Sequence, residues 1–225
     1  MTDTSILLTI AVLGGTGKEG KGLVYRWAKA GYHVHVGSRE AAKAQAAANE
    51  VMGLLEGEAF VDGMTNLEAA QQADIIVLTV PYAAHQSTLE SVKDAVKGKT
   101  LIDVTVPLVP PKVATVQMPS AGSAAQEAKQ ILGADAQVCA AFQNISYEHL
   151  LDDEDVDCDV LVTGTSKEAR ADAIKLVEAA GLTGWDAGPL ENSVVVEGLT
   201  SVLIGINKKY GSTRAGIRIT GARKE

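Results

Sequence analysis

A glycine-rich segment between an apolar run and a helix-like stretch constrains the fold of this chain more than any other feature. Gly15, Gly17 and Gly20 fit the spacing G-x-G-x-x-G directly after the apolar run Ile6–Leu13. Glycine at these points permits a tight turn and close backbone approach, while the following helix start presents unpaired N–H groups to a pyrophosphate. The turn is therefore predicted to bind a dinucleotide. The alternative is a plain strand-to-helix turn, because 22 of the 225 residues are glycine.

Short apolar runs alternate with helix-like stretches over the first 140 residues or so. This alternation is typical of a parallel sheet with crossover helices. It predicts an α/β fold, namely a Rossmann-type doubly wound, mostly parallel sheet. The predicted strands are Ile6–Leu13, His33–Gly37, Ala59–Val61, Asp74–Val80, Thr100–Val106 and Gln137–Phe142, and the last is expected to close the sheet.

The remaining residues predict a small C-terminal α/β appendage that contains a long helix. Two further strands, Val160–Thr163 and Gly184–Ala187, flank a predicted helix, and a long apolar helix follows at Asn192–Lys209. We expect residues 1–147 to form the nucleotide-binding domain and residues 148–225 a small substrate-cleft and dimerisation domain. The long helix is apolar on more than one face, so it is predicted to pack on the sheet domain and on a second subunit in a homodimer.

Composition excludes several classes of partner. The net charge of -8 has the wrong sign for a protein that neutralises nucleic-acid phosphates. No apolar run approaches the roughly 18 residues of a membrane helix, and two isolated cysteines do not indicate a disulfide framework. We therefore expect a soluble cytoplasmic protein that contacts neither nucleic acid nor membrane. No metal site is expected, because the four histidines are scattered; they are His33, His35, His85 and His149.

The end of the second strand predicts which dinucleotide binds. An NAD enzyme usually places Asp or Glu there to accept hydrogen bonds from the ribose 2′-hydroxyl. This chain has Ser38 and Arg39 instead, with Lys43 one helical turn further on. Arginine and lysine can pair with a 2′-phosphate that a carboxylate would repel. NADP is therefore the predicted cofactor, and an ordinary solvated helix start is the alternative.

The end of the fourth strand adds further candidates for cofactor contact. Val80, Pro81 and Tyr82 lie at the carboxyl edge where a doubly wound sheet binds its ligand. Pro81 is expected to turn the chain across the ribose and Tyr82 to cover it, while His85 is expected to reach a phosphate or ribose oxygen. Core packing is the alternative for Tyr82, and an exposed helix start is the alternative for His85.

These residues resemble the NADPH-dependent reductases of the deazaflavin coenzyme F420, also called F420H2:NADP oxidoreductases. The resemblance runs from the first strand to the C-terminus. It rests on Leu13-Gly14-Gly15-Thr16-Gly17, Gly37-Ser38-Arg39 with Lys43, Val80-Pro81-Tyr82, Pro107-Leu108-Val109, Ala140-Ala141-Phe142 and Asp186-Ala187-Gly188-Pro189-Leu190-Glu191-Asn192. The last segment, followed by Glu197, Leu199 and Thr200 on the helix, is the more specific part.

The resemblance implies a reaction and two sets of site residues. The reaction is hydride transfer between NADP(H) and F420 as co-substrate. The pyrophosphate turn would comprise Gly15, Thr16, Gly17, Lys18, Glu19 and Gly20. The deazaflavin cleft would be lined by Pro107, Leu108, Val109, Gln143, Asn144, Ile145, Asn192 and Thr200. Gln143 departs from the family pattern, in which a histidine often follows the last strand of the sheet domain.

Such a reaction needs no catalytic acid, base or nucleophile from the protein, because the cofactors carry the chemistry. We expect the protein to hold the two rings together in a water-poor cleft. Gln143 and Asn144 are candidate stabilisers of negative charge on the reduced deazaflavin, and an ordinary loop amide is the alternative for each. Two other functions stay open: an NADP-dependent reductase of a small imine or carbonyl compound, similar to pyrroline-5-carboxylate reductases, and a non-catalytic NADP sensor.

Overall fold

The computed structural model describes residues 8–151 and 156–222. Within these ranges the strands are β1 (Ile10–Leu13), β2 (Val34–Ser38), β3 (Val61–Thr65), β4 (Ile75–Leu78), β5 (Thr100–Asp103), β6 (Gln137–Ala140), β7 (Asp159–Gly164) and β8 (Thr183–Pro189). The helices are α1 (Lys18–Lys29), α2 (Ala41–Leu54), α3 (Asn66–Gln72), α4 (Tyr82–Val96), α5 (Ala124–Leu132), α6 (Lys167–Ala179) and α7 (Ser193–Tyr210). Single 3-10 turns occur at Tyr147–His149 and Leu190–Asn192. The first two residues of the predicted strand Ile6–Leu13 lie outside the described residues.

The described strands form one sheet with the order β3-β2-β1-β4-β5-β6-β7-β8. Neighbouring strands are parallel, except that β6 and β7 are antiparallel. The chain passes from β1 to β2 and β3 on one side and then returns to β4 on the other side. The strand order therefore reverses between β1 and β4, where doubly wound sheets bind ligands. The predicted Rossmann-type sheet with a long C-terminal helix is confirmed.

Helices cover both faces of the sheet. Along β1, Ile10 and Val12 belong to the apolar layer that includes residues of α1, α2 and α6. Ala11 and Leu13 belong to the opposite layer, with residues of α3, α4 and α5. All four side chains are fully buried. Burial on both faces explains why this strand is an unbroken apolar run, and each large apolar side chain contributes about 1.5–3 kcal/mol to stability.

The third strand is not where the sequence pattern predicted it. The prediction was Ala59–Val61, whereas β3 begins at Val61 and continues to Thr65. Its whole length pairs in parallel with β2, and Gly63 packs so closely against the backbone of α2 that a Cβ there has no room. This pairing outweighs the low strand propensity of Asp62 and Gly63, which hid the strand in the sequence.

The sheet also continues beyond the strand that was expected to close it. The prediction for Gln137–Phe142 is wrong on this point, because β7 pairs with β6 through Cys139 and Gly164, and β8 then pairs with β7. Apolar patterning identifies a strand but not its neighbour. The division of the chain after residue 147 stays a prediction, and both of its parts contribute strands to this one sheet.

The helix α7 has a buried side and an exposed side. Val196 and Leu203 are buried, whereas Val195 and Val202 are 63% and 47% exposed. The helix ends at Gly211, which has the left-handed φ of 67° that is common after a helix. Neither α7 nor any other described helix is long and apolar enough to cross a membrane.

Candidate active site

A cleft of about 860 Å³ lies at the carboxyl edge of the sheet. This volume is in the upper part of the range for small-molecule sites. Predicted residues that line it are Thr16, Gly17, Lys18, Glu19, Gly20, Ser38, Arg39, Lys43, Val80, Pro81, Tyr82, Leu108, Gln143, Ile145 and Thr200. The cleft thus brings together segments of the chain that are almost two hundred residues apart.

Six predicted residues are not among those that line the cleft. They are Gly15, His85, Pro107, Val109, Asn144 and Asn192. Twelve lining residues were not predicted: Gly14, Glu40, Asn66, Thr79, Ala83, Ala84, Thr88, Val104, Thr105, Val106, Pro110 and Val113. Four of these directly follow β4 or β5, namely Thr79, Val104, Thr105 and Val106. The rule that ligands bind at the carboxyl ends of strands could have identified these four.

The glycine turn after β1 is held by close backbone contacts. Gly14 has a φ of +75°, and a Cβ at this position would lie 2.6 Å from Val80 Cγ1. Gly15 lies beneath the cleft surface, where its N–H donates to Gly37 O at 3.1 Å. A Cβ on Gly20 would lie 2.7 Å from the Cα of Gly15. Gly15 and Gly20 therefore hold the start of α1 against the turn, while Gly17 faces the cleft.

Two polar side chains that were not predicted fix this turn to its neighbours. Asn66 Oδ1 accepts a hydrogen bond from Gly14 N at 3.3 Å and also lies where a Cβ on Gly37 would be. Thr79 Oγ1 donates to Leu13 O at 3.0 Å. These two side chains therefore connect the turn after β1 to the start of α3 and to the end of β4.

Glu19 is an unusual acid for a turn that is expected to hold phosphate. Its side chain is half-buried and lines the cleft, and its Oε1 is buried without a hydrogen-bond partner. Burial raises the pKa of Glu19 to about 8, so the neutral acid dominates at pH 7. A neutral side chain here does not repel an anion. The adjacent Lys18 donates a hydrogen bond from Nζ to Tyr147 Oη at 3.1 Å.

The end of β2 and the residues after it provide two of the cationic side chains that line the cleft. Arg39 and Lys43 are exposed there, beside the buried Ser38. Lys43 Nζ lies 2.6 Å from Glu40 Oε1, and both side chains are about two-thirds exposed. The hydrogen bond and the charge of Lys43 lower the pKa of Glu40, which is thus ionised at neutral pH. Glu40 was not predicted as a site residue. It pairs with the ammonium group of Lys43, which was expected to face the 2′-phosphate.

The segment after β4 lines the cleft, but His85 points away from it. His85 is fully buried, and its Nε2 lies 2.7 Å from Asp103 Oδ2. The expected contact of His85 with a phosphate or ribose oxygen is therefore incorrect. Burial lowers the pKa of His85, but the hydrogen bond to Asp103 and the nearby carboxylates outweigh it and raise the pKa overall. Tyr82 is half-buried at the cleft, where burial and then the charge of Glu127 raise its pKa to about 12.

Glu197 lies in the same buried region and joins α7 to α5. Its two carboxyl oxygens accept hydrogen bonds from Ala124 N at 2.7 Å and Ala125 N at 3.0 Å. These N–H groups belong to the first turn of α5, which has no intrahelical partners for them. Burial raises the pKa of Glu197 to about 8, although the two N–H groups act in the opposite direction.

The two amides after β6 have structural partners. Gln143 Nε2 donates to Asp103 O at 2.7 Å, and Asn144 Nδ2 donates to Val196 O at 3.0 Å. Thr200 Oγ1 donates to Gln143 O at 2.7 Å, which fastens α7 to this loop. Both amide groups were expected to donate to a ring, and both are already engaged. Gln143 Oε1 is buried and has no hydrogen-bond partner within the protein.

The loop after β5 is only partly in the expected place. Leu108 lines the cleft, but its N–H donates to Val106 O at 2.7 Å and is not free to bind a ligand oxygen. Pro107 is buried, and Val109 is 44% exposed without lining the cleft. Asn192 is exposed, and its amide donates to Ala187 O at 2.7 Å. The expected ligand contacts of Pro107, Val109 and Asn192 are therefore not supported.

The site offers binding groups rather than a reactive side chain. Its described lining residues include no histidine and no cysteine. The arrangement fits a dinucleotide phosphate, because Gly17 is exposed at the start of α1 and cationic groups follow β2. It also fits a planar ring, because apolar side chains such as Val104, Leu108 and Ile145 line the same cleft.

Comparison with known proteins identifies the family. The family model described as NADP oxidoreductase coenzyme F420-dependent matches residues 9–107. An F420-dependent NADP reductase of Methanothermobacter marburgensis is 44% identical over 95% of this chain and 98% of that protein. One of Methanocaldococcus jannaschii is 38% identical over 95% of this chain and 98% of that protein.

Two solved structures are similar to this chain in fold. A crystal structure from Arthrobacter sp. FB24, provisionally named an F420-dependent NADP reductase, has a TM-score of 0.79 at 23% identity and covers 96% of this chain and 100% of that one. The NADP-bound pyrroline carboxylate reductase of Plasmodium falciparum has a TM-score of 0.57 at 13% identity, over 91% of this chain and 64% of that one. These two similarities concern the fold alone. From the sequence relatives, the chain belongs to the F420-dependent NADP reductase family.

Proposed function

We propose that this chain transfers a hydride between NADP(H) and coenzyme F420. The observation that carries the proposal is one continuous cleft with two chemically different ends. One end has the glycine turn and the cations after β2, and the other has apolar side chains around Gln143 and Thr200. A dinucleotide phosphate suits the first end and a planar ring suits the second.

The first end favours NADP over NAD. Arg39 is exposed and available for a bidentate contact with a 2′-phosphate, and the Ser38 hydroxyl lies beside it. Lys43 joins them when it exchanges its Glu40 partner for the phosphate. The neutral Glu19 and the N–H groups at the start of α1 receive the pyrophosphate without charge repulsion.

The second end holds the deazaflavin beside the nicotinamide. Val104, Leu108 and Ile145 supply apolar surface, and Gln143 Oε1 accepts a hydrogen bond from a ring N–H. NADP and F420 supply the redox chemistry through the nicotinamide and deazaflavin rings. The protein contributes orientation and the exclusion of water, and no side chain exchanges a proton at the reacting carbons.

The first test mixes the purified protein with NADPH and oxidised F420 and follows the loss of deazaflavin absorbance. We expect bleaching with NADPH, and much slower bleaching with NADH.

Arg39→Ala with Lys43→Ala should raise the KM for NADPH at least about tenfold, because two contacts with a dianion are lost. Lys97→Ala, which removes an exposed lysine on another surface, is the matched control. Tight NADPH binding without bleaching would overturn the proposal and favour a sensor or a different acceptor.

The exposed side of α7 supports a homodimer. Val195, Val202, Ile206 and Tyr210 are between 41% and 72% exposed on this helix. A row of exposed apolar side chains on one helix is typical of a protein interface. A second copy of the chain, related by a twofold axis, would bury it.

A cytoplasmic location and the absence of nucleic-acid partners stay predictions from the composition.

A further inference from the structure

We propose that this chain has a binding site for one divalent transition-metal ion, such as Zn²⁺, formed by His33, His35 and Asp62. The strand pairing creates the cluster. His33 and His35 are two residues apart at β2, so their side chains project to the same side of the sheet. Asp62 is the residue of β3 that pairs with His35 in the parallel register.

The distances between the candidate ligand atoms suit a small ion. Asp62 Oδ2 lies 2.7 Å from His33 Nε2 and 3.8 Å from His35 Nδ1, and one ligand atom from each residue lies within 4.8 Å of the others. Zn²⁺ binds nitrogen and carboxylate oxygen at about 2.0–2.2 Å, so tetrahedral ligand atoms are separated by about 3.3–3.6 Å. The separations of the candidate atoms lie on both sides of this range.

A second observation independently points to a ligand at this place. His35 is 5% exposed, and its Nδ1 has no hydrogen-bond partner although the atom is buried. Buried polar atoms in folded proteins are almost always paired, so an orphan nitrogen that faces a carboxylate needs an explanation. An imidazole nitrogen without a proton is the form that binds metals.

The ligand set defines the class of ion. Two imidazoles and one carboxylate suit Zn²⁺, Co²⁺ or Ni²⁺, whereas Mg²⁺ and Ca²⁺ prefer oxygen ligands only. His33 and Asp62 are partly exposed, so water can reach the remaining coordination position. None of the three residues lines the cleft at the carboxyl edge of the sheet. The ion therefore links β2 to β3, and its role is to stabilise this edge of the sheet rather than to take part in hydride transfer.

The site was missed in the sequence because its third ligand comes from a different strand. His33 and His35 alone are an alternating pair, and Asp62 lies 27 residues further on in a segment that was not predicted as a strand. Only the register between β2 and β3 brings the three side chains together.

The test is a calorimetric titration of the metal-free protein with Zn²⁺. We expect one equivalent to bind, Co²⁺ to bind in its place with the visible bands of a tetrahedral complex, and the melting temperature to rise with Zn²⁺ but not with Mg²⁺. Asp62→Asn and His33→Ala, both at partly exposed positions, should each weaken Zn²⁺ binding at least about tenfold. His149→Gln, a histidine outside the cluster, should bind Zn²⁺ as tightly as the wild type.

Two results would overturn this site. One is a wild-type protein that shows no Zn²⁺ binding and no tetrahedral Co²⁺ spectrum. The other is retention of full affinity in both Asp62→Asn and His33→Ala, with circular dichroism confirming that the variants are folded. NADPH affinity should be the same in Asp62→Asn as in the wild type, so the outcome is separable from the proposed reductase activity.

Discussion

At the scale of single residues, Glu40 opposes binding at the site that we propose for the 2′-phosphate. Its carboxylate pairs with Lys43 at 2.6 Å and lies next to Arg39 in the chain. A bound phosphate must displace this carboxylate and also experiences its negative charge. Exposed ion pairs of this kind are weak, so the competition is modest but measurable.

Replacement of Glu40 by glutamine should strengthen NADP binding. We expect Glu40→Gln to lower the Kd for NADP by about 2- to 5-fold, because Lys43 is released and a repulsive charge is removed. Fluorescence titration with NADPH measures the change. Asp94→Asn, which breaks a similar pair with Lys97 elsewhere, is the control. An equal gain in affinity for NAD, which lacks the 2′-phosphate, would contradict this explanation.

Glu19 should make stability depend on pH. Its pKa is raised from 4.5 to about 8 in the folded protein, so folding favours the protonated form. The associated stabilisation is complete below pH 4.5 and is lost as the pH rises to 8 and above. Glu19→Gln, which cannot ionise, should therefore match the wild type near pH 4.5 and exceed it by about 1–3 kcal/mol at pH 9. Urea unfolding at both pH values measures this, and a constant difference would show that the carboxyl is not responsible.

At the scale of elements, the position of α7 depends on buried polar contacts. Glu197 binds the start of α5, and Ser193 Oγ lies 2.6 Å from Ser123 Oγ, at the N-cap of the same helix. Asn144 and Thr200 connect α7 to the loop after β6. The wall of the cleft formed by α7 is thus fixed to two separate elements of the sheet domain.

Loss of the Glu197 carboxyl should destabilise the protein markedly. Glu197→Ala leaves two buried N–H groups at α5 without partners and creates a cavity. We expect the free energy of unfolding to fall by about 2–4 kcal/mol. Urea denaturation with tryptophan fluorescence measures this fall. Glu191→Ala, at an exposed position just before α7, should change stability by less than about 0.5 kcal/mol. A similar loss in both variants would contradict the role of Glu197.

At the scale of the whole molecule, the homodimer that we propose depends on the exposed apolar side of α7. Val195→Glu with Val202→Glu places two charges on this surface and should convert the dimer to a folded monomer, as measured by light scattering. Leu54→Glu introduces a charge at another exposed apolar position and should leave the dimer intact. A wild-type protein that is monomeric throughout the micromolar range would refute the dimer.

The sequence predicted the local features of this molecule better than its long-range ones. Two groups of site residues each lie within a short stretch of the sequence, and their chemistry can be recognised without knowledge of the fold. These are the glycine turn and the group Ser38, Arg39 and Lys43. His85 was misplaced because the spacing does not reveal that its side chain points into the sheet, towards Asp103. Asp103 itself was hidden at the end of an apolar strand.

The long-range errors have one physical origin. Strand β3 and the positions of β7 and β8 depend on pairing with distant segments, and pairing energy is not encoded in local periodicity. Similarly, the sequence singled out Gln143 and Asn144 but could not show that their side-chain N–H groups have partners within the protein. These partners, Asp103 O and Val196 O, are brought close only by the packing of β5 and α7 against this loop.

Two hydrogen bonds, from Gly14 N–H to the Asn66 side chain and from Gly15 N–H to Gly37 O, have a consequence for how this cleft can change. They join the glycine turn to the end of β2 and to the start of α3 in one frame. None of these hydrogen bonds involves the exposed residues after β2, namely Arg39, Glu40 and Lys43. The residues that we propose to select the dinucleotide can therefore be substituted without loss of the hydrogen bonds of the glycine turn. The cofactor preference of this cleft should change more readily, in evolution or by design, than its binding of phosphate.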